Sequence, residues 1–278
     1  MKKTEDLNAL RGIARGIRVE ILNMIHAAGT GHPGGSLSSV EILVSLYFSR
    51  MNHSPEYQKR ADRDKFVLSK GHGAPALYAV LAECGYFPKE KLAQLRQMNS
   101  MLSGHPYAPS TPGVEITTGS LGQGLSQANG LALAGRLNGH SSNVYCLMGD
   151  GETQEGQIWE AAMTAAHYRL GSMIAFLDNN ELQIDGFVKD VMGIEPIGKK
   201  WEAFGWHVQE IDGHDFGQIF AAIDAAKKVK DQPSLIWCHT VKGKGVSFME
   251  RLAKWHGTAP NAEELKKALA ELGAGGNG

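Results

Sequence analysis

Asp150 and Asn180 carry the most specific chemistry in this 278-residue sequence. Each follows a short apolar run. A carboxylate and an amide oxygen brought together from two strand ends are hard-oxygen ligands suited to Mg2+ or Ca2+, with a diphosphate completing the octahedron. The glycines flanking Asp150 would let the backbone approach that diphosphate, and the following helix would offer its N-terminal N–H groups. Taken singly, Asp150-Gly151 is equally a turn and Asn179-Asn180 a loop; their pairing favours a site. Four histidines also sit in glycine-rich frames, at His32, His72, His105 and His256. Imidazoles titrate near neutrality, so they can both hydrogen-bond hydroxyl groups and move protons. The other seven, His26, His53, His140, His167, His207, His214 and His239, lack such a frame and read as structural or exposed. The four framed histidines match no short zinc-ligand spacing and have no cysteine close by.

The elements that must position these groups are legible as an alternation of helices and short apolar strands. Leu7, Leu10, Ile13, Ile17, Ile21, Met24 and Ile25 recur at three- and four-residue steps, which predicts an amphipathic helix ending near Gly29. Residues 36–51 read as a second helix, apolar nearly all round and therefore buried. Strands are expected at Phe66–Leu68, Val144–Met148, Met173–Leu177 and Leu235–Cys238, with a weaker one near Val208. Helical stretches around 74–84, 121–137, 158–168 and 216–229 separate them. Continuous apolar strands alternating with helices imply an α/β fold, a parallel sheet with helices on both faces. Ligands of such sheets sit beyond the carboxyl ends of the strands. There the chain places Ser69-Lys70-Gly71-His72-Gly73, Gly149-Asp150-Gly151, Asp178-Asn179-Asn180 and Val241-Lys242-Gly243-Lys244-Gly245. Gly29-Thr30-Gly31-His32-Pro33-Gly34 matches a dinucleotide template, but it follows a helix rather than a strand, so that reading is rejected.

Composition is that of an ordinary globular chain, with 42% hydrophobic and 21% charged residues. A net charge of −1 leaves no electrostatic footprint for nucleic acid. Cys84, Cys146 and Cys238 are odd in number and far apart, as expected of reduced thiols in the cytoplasm, and no apolar run is long enough to span a membrane. The 34 glycines stand out, at about 12% against a usual ~7%. They predict many tight turns or close approaches to a ligand. Residues 1–278 read as one domain, with 273–278 a loose tail.

The interval between the two ligand motifs is where a family resemblance begins. Gly149-Asp150-Gly151, the 27 residues 152–178 and then Asn179-Asn180 resemble the thiamine diphosphate motif. The remaining frames identify the chain as similar to transketolases: Gly31-His32-Pro33-Gly34-Gly35, Ser69-Lys70-Gly71-His72-Gly73, Ser103-Gly104-His105-Pro106, Thr118-Gly119-Ser120-Leu121-Gly122-Gln123-Gly124, the Val241–Gly245 run and Trp255-His256-Gly257. They follow the family's order and span about Leu7 to Pro260. The resemblance implies a thiamine diphosphate-binding fold, with thiamine diphosphate and Mg2+ (or Ca2+) as cofactors. It matches Asp150, Asn180 and the Leu182 carbonyl to metal ligands, and Gly151, His72 and His256 to the diphosphate. Leu121 and Ile184 match the apolar pair about the thiazolium ring, Gly119 a glycine at the cofactor, and Lys70 and Lys242 lysines of the same motifs. His32 and His105 match histidines facing the substrate, and Glu155 a glutamate at the subunit boundary. The implied reaction moves a two-carbon ketol unit from a ketose phosphate to an aldose phosphate, as in the pentose phosphate pathway.

Complete transketolases also carry a pyrimidine-binding domain that supplies an activating glutamate. The resemblance therefore implies the N-terminal subunit of a split transketolase, active only with a separate C-terminal subunit in an α2β2 heterotetramer. Other readings are a non-catalytic diphosphate-binding subunit, or a subunit of another thiamine diphosphate enzyme that works on an unusual ketose. The α subunit of a 2-oxo acid dehydrogenase would lack the framed histidine motifs, and deoxyxylulose-phosphate synthase is a much longer chain with different ones.

Overall fold

The computed structural model describes residues 3–274. Five strands, β1 (Lys65–Leu68), β2 (Val144–Gly149), β3 (Met173–Asn179), β4 (His207–Asp212) and β5 (Ser234–His239), form one sheet. The order is β1-β2-β3-β5-β4, and every neighbouring pair is parallel. The four strongly apolar runs, β1, β2, β3 and β5, occur where expected. β1 and β4 are the two edges; β4 is the weakest apolar signal because none of its residues is fully buried, whereas three of the four in β1 are.

Each of β1, β2, β3 and β5 feeds two cores through its twofold side-chain alternation. Phe66, Leu68, Tyr145, Leu147, Ile174, Phe176 and Ile236 enter one, and Val67, Cys146, Met148, Met173, Ala175, Leu177 and Leu235 the other. The first is covered by α1 (Leu7–Ala28), α2 (Pro33–Leu37), α3 (Val40–Ser45) and α4 (Ala74–Glu83), and the second by α5 (Gln123–Leu137) and α6 (Gly156–His167). After β3 come α7 (Val188–Val191) and α8 (Ile197–Ala203); α9 (Phe216–Ala226) and α10 (Ala262–Glu271) return to the first face.

Local chemistry explains the helix boundaries. Asp6 caps α1 by accepting from Asn8 N and Ala9 N, and Gly29 ends it at φ 65. The single helix expected over 36–51 is instead three pieces, α2, α3 and a π-turn at Leu46–Arg50. Ser38 and Ser39 turn their hydroxyls back to the Gly35 carbonyl, a competition that weakens the helix at that point. The segment is nevertheless almost wholly buried, as its composition requires. Gly273 N and Ala274 N still bond the last turn of α10, so those two residues belong to its cap; 275–278, the rest of the expected loose tail, lie outside the described residues. Cys84, Cys146 and Cys238 are free and buried. Among the described residues no helix is long and apolar enough to cross a membrane.

Candidate active site

The carboxyl ends of β1, β2, β3 and β5 converge on one buried carboxylate, Asp178 at the end of β3. It is 0% exposed and pairs with the Lys70 ammonium, itself 1% exposed. Ser38 Oγ donates to it at 2.7 Å, Asn180 Nδ2 at 3.1 Å, and the Thr240 hydroxyl also donates. Burial would raise the Asp178 pKa, but Lys70 and these donors hold it below the ordinary carboxylate value. Lys70 Nζ also donates to Gly35 O at 2.7 Å, which ties α2 to the strand ends. Glu152 does similar work nearby, accepting from Ser69 Oγ, from Gly122 N at 2.9 Å and from Gly149 N at 3.0 Å.

Asp150 lies beside the 180–182 segment. Its Oδ1 accepts from Gly151 N at 2.7 Å and its Oδ2 from Glu181 N at 2.6 Å. Burial and then repulsion from Asp178 push its pKa up to about 7. Lys242 Nζ, buried, donates to Leu182 O at 2.7 Å and contacts His256 Nδ1 at 2.8 Å. Burial brings its pKa down to about 8.

The four framed histidines, scattered from 32 to 256, come together here. His32 lies 5.5 Å from His72, 6.1 Å from His105 and 5.6 Å from His256 between ring centroids, and His72 lies 5.2 Å from His256. Burial lowers all four, to about 4 for His32, to about 3 for His256 and well below the ordinary value for His72, with neighbouring cations adding to the effect. The cluster is thus a set of neutral imidazoles at pH 7, able to hydrogen-bond hydroxyl groups. Close backbone contact makes room for them. A Cβ on Gly34 would meet the Trp255 carbonyl at 2.8 Å, and Gly119, at φ 146, would place one 3.1 Å from the His105 ring.

The chain matches the family model described as transketolase, thiamine diphosphate binding domain, over residues 10–277. It belongs to the transketolase family. It is 48% identical over 256 residues to the 6-deoxy-6-sulfo-D-fructose transketolase subunit of Clostridium sp. (strain MSTE9), covering 92% of this chain and 93% of the relative. It is 44% identical over 255 residues to an apulose-4-phosphate transketolase subunit from Actinobacillus succinogenes, covering 92% of each. Among solved structures, the Pichia stipitis transketolase complex with sedoheptulose-7-phosphate superposes with a TM-score of 0.91 at 34% identity. That match covers 95% of this chain and 40% of the Pichia one.

As a transketolase-family site, the arrangement fits a divalent cation bound together with a diphosphate. Asp150, the Asn180 amide oxygen and the Leu182 carbonyl are neighbours and all hard-oxygen donors. Among the described residues no group of three or more His, Cys, Asp or Glu is placed to hold a metal ion. The buried His32 Nδ1 has no hydrogen-bond partner among the described residues, as expected of a ring awaiting a polar ligand. Gly151 adjoins Asp150, Leu121 is half-buried and Glu155 exposed, while Ile184 is 68% exposed despite its apolar side chain. Lys70 reaches Asp178 and Gly35 O in the wall of the site. Sequence reasoning missed the roles of Asp178 and Glu152, and also Arg96. Arg96 lies so close to Gly104 that a Cβ there would be 2.8 Å from its Cζ, and its charge lowers both His32 and His105.

Proposed function

We propose that the chain is the N-terminal, diphosphate-binding subunit of a split transketolase. With a separate C-terminal subunit it transfers a two-carbon ketol unit from a ketose phosphate to an aldose phosphate. The observation that carries this reading is the clustering of His72, His105 and His256 about His32, with Lys242 reaching both His256 and the Leu182 carbonyl.

Asp150, Asn180 and Leu182 O would hold Mg2+, or Ca2+ in its place. Gly151, Lys242, His72 and His256 would line the diphosphate, with Lys70 behind them acting through its pair with Asp178, and Gly119, Leu121 and Ile184 would line the ring. When bound, thiamine diphosphate supplies the electron sink that lets the bond beside a ketose carbonyl break. His32 and His105 face the sugar and, being neutral, accept hydroxyl protons as that bond breaks; such transfer contributes about 10²–10⁴-fold.

A partner is supported by relatives of matching length that are themselves named as subunits. The exposed Ile184 beside a polar site suits a surface that the partner covers, and exposed Glu155 suits a subunit boundary in an α2β2 assembly. Relatives named for a sulfofructose and for apulose-4-phosphate favour an unusual ketose over general pentose phosphate metabolism. Residues 1–278 are read as one diphosphate-binding domain, and the free buried thiols support a cytoplasmic setting. Calorimetric titration with thiamine diphosphate and Mg2+, with and without the C-terminal subunit, tests the reading. Binding that tightens with the partner is expected. Absence of binding in both cases would overturn the reading in favour of a non-catalytic subunit.

A further inference from the structure

Behind the lysine turn lies a second buried carboxylate, Glu41 on α3, which is 7% exposed and belongs to none of the glycine-framed motifs. Its Oε2 accepts from Arg18 Nη2 at 2.8 Å and contacts His214 Nδ1 at 2.9 Å. Each of these side chains grips the Val241–Gly245 turn. Arg18 Nε donates to Lys244 O at 2.9 Å, and Val241 N donates to His214 Nε2 at 2.9 Å. Since Val241 N–H can only donate, His214 Nε2 must accept. The ring proton therefore sits on Nδ1 and is donated to Glu41. Burial would raise the Glu41 carboxyl, but Arg18 and His214 hold it down to about 2, so it stays ionised at neutral pH.

One carboxylate thus orients a guanidinium from α1 and an imidazole from the β4–α9 connection, and these hold backbone atoms three residues apart. Between those atoms is Lys242, and the turn is also tied to α2 by Gly243 N donating to Gly34 O at 3.1 Å. We propose that Glu41 is a positioning residue that fixes the Val241–Gly245 turn through Arg18 and His214 and so sets the place of the Lys242 ammonium. The proposal rests on the reading of Lys242 as a diphosphate-side cation.

The test uses the full chain with its C-terminal subunit, as wild type and as E41Q, H214A, K242M and E41Q/K242M. Thiamine diphosphate with Mg2+ is titrated calorimetrically, and amide hydrogen exchange is followed on each ligand-free protein. E41Q and H214A are expected to speed exchange at Val241 about tenfold or more relative to β3 amides, and to weaken cofactor binding about tenfold, the scale of losing an outer-shell partner. With K242M in place, E41Q should cost less than about twofold more, because residues acting through one another are not additive. Unchanged exchange at Val241, or an equal loss with and without K242M, overturns the proposal. H214A leaves the Arg18–Glu41 pair intact and decides the matter where E41Q does not fold. A wild-type pair that binds no thiamine diphosphate overturns the split-transketolase function, and the exchange rates then decide the clamp alone.

Discussion

Lys70 and Asp178 form an ion pair that is closed to solvent on both sides and joins the carboxyl ends of β1 and β3. Because Asp178 also accepts from Ser38, Asn180 and Thr240, that contact fixes the walls of the site before any ligand arrives. Removing one partner leaves the other buried and uncompensated, which costs roughly 3–5 kcal/mol. K70M and D178N are each expected to lose stability on that scale in urea unfolding. The double variant should lose less than the sum. Additive losses would show that the two groups do not act as a pair.

Asp150 is the one carboxylate of the proposed metal set, so D150N should abolish measurable Mg2+-dependent binding of thiamine diphosphate while leaving the fold intact. The loss should exceed the roughly 10–100-fold that removal of an outer-shell partner costs. Calorimetry read against a far-ultraviolet dichroism control checks this. Retained affinity would place the cation elsewhere.

His105 is exposed at the mouth of the histidine cluster, and the Asp150 carboxylate takes its hydrogen bonds from Gly151 N and Glu181 N instead. H105A is therefore expected to lower kcat by about 10²-fold or more, with cofactor and metal affinity nearly unchanged. Steady-state kinetics and calorimetry on the same variant separate the two. Loss of cofactor binding would remove His105 from the substrate side.

The histidine cluster also predicts a pH dependence. His32 and His256 have folded pKa values near 4 and 3, below the ordinary 6.5. Below pH 6.5 the unfolded chain binds protons that these rings refuse, so their contribution to stability is full above about 6.5 and is lost as pH falls toward 3. Wild-type unfolding free energy should decline over that window, and H256Q should decline less steeply. A slope unaffected by the substitution would contradict the burial argument. Imidazole NMR resonances should correspondingly show no titration of these two rings between pH 6 and 8.

Much of this was legible because β1, β2, β3 and β5 are continuous apolar runs that end in polar residues, the pattern of a sheet covered on both faces. The edge strand His207–Asp212 was faint because none of its residues is fully buried. Helix α10 carries a capping box, Asn261 with Glu264, which is readable in the sequence and would have located it. Asp178 was harder to see. It stands next to the amides that attract notice, yet a charge closing a run of buried residues must have a buried partner, and Lys70 at another strand end supplies it. Arg96 and Glu41 offered no such cue, since only the folded chain shows what lies behind His105 and behind the lysine turn.

On the proposed function, this chain supplies one half of a transketolase site. The most direct measurement is ketol transfer by the purified chain, alone and after addition of a separate C-terminal transketolase subunit, with thiamine diphosphate and Mg2+ present throughout. Negligible transfer alone and robust transfer on mixing are predicted. Substantial transfer by the chain alone, or none after mixing with a partner that binds it, would contradict the account.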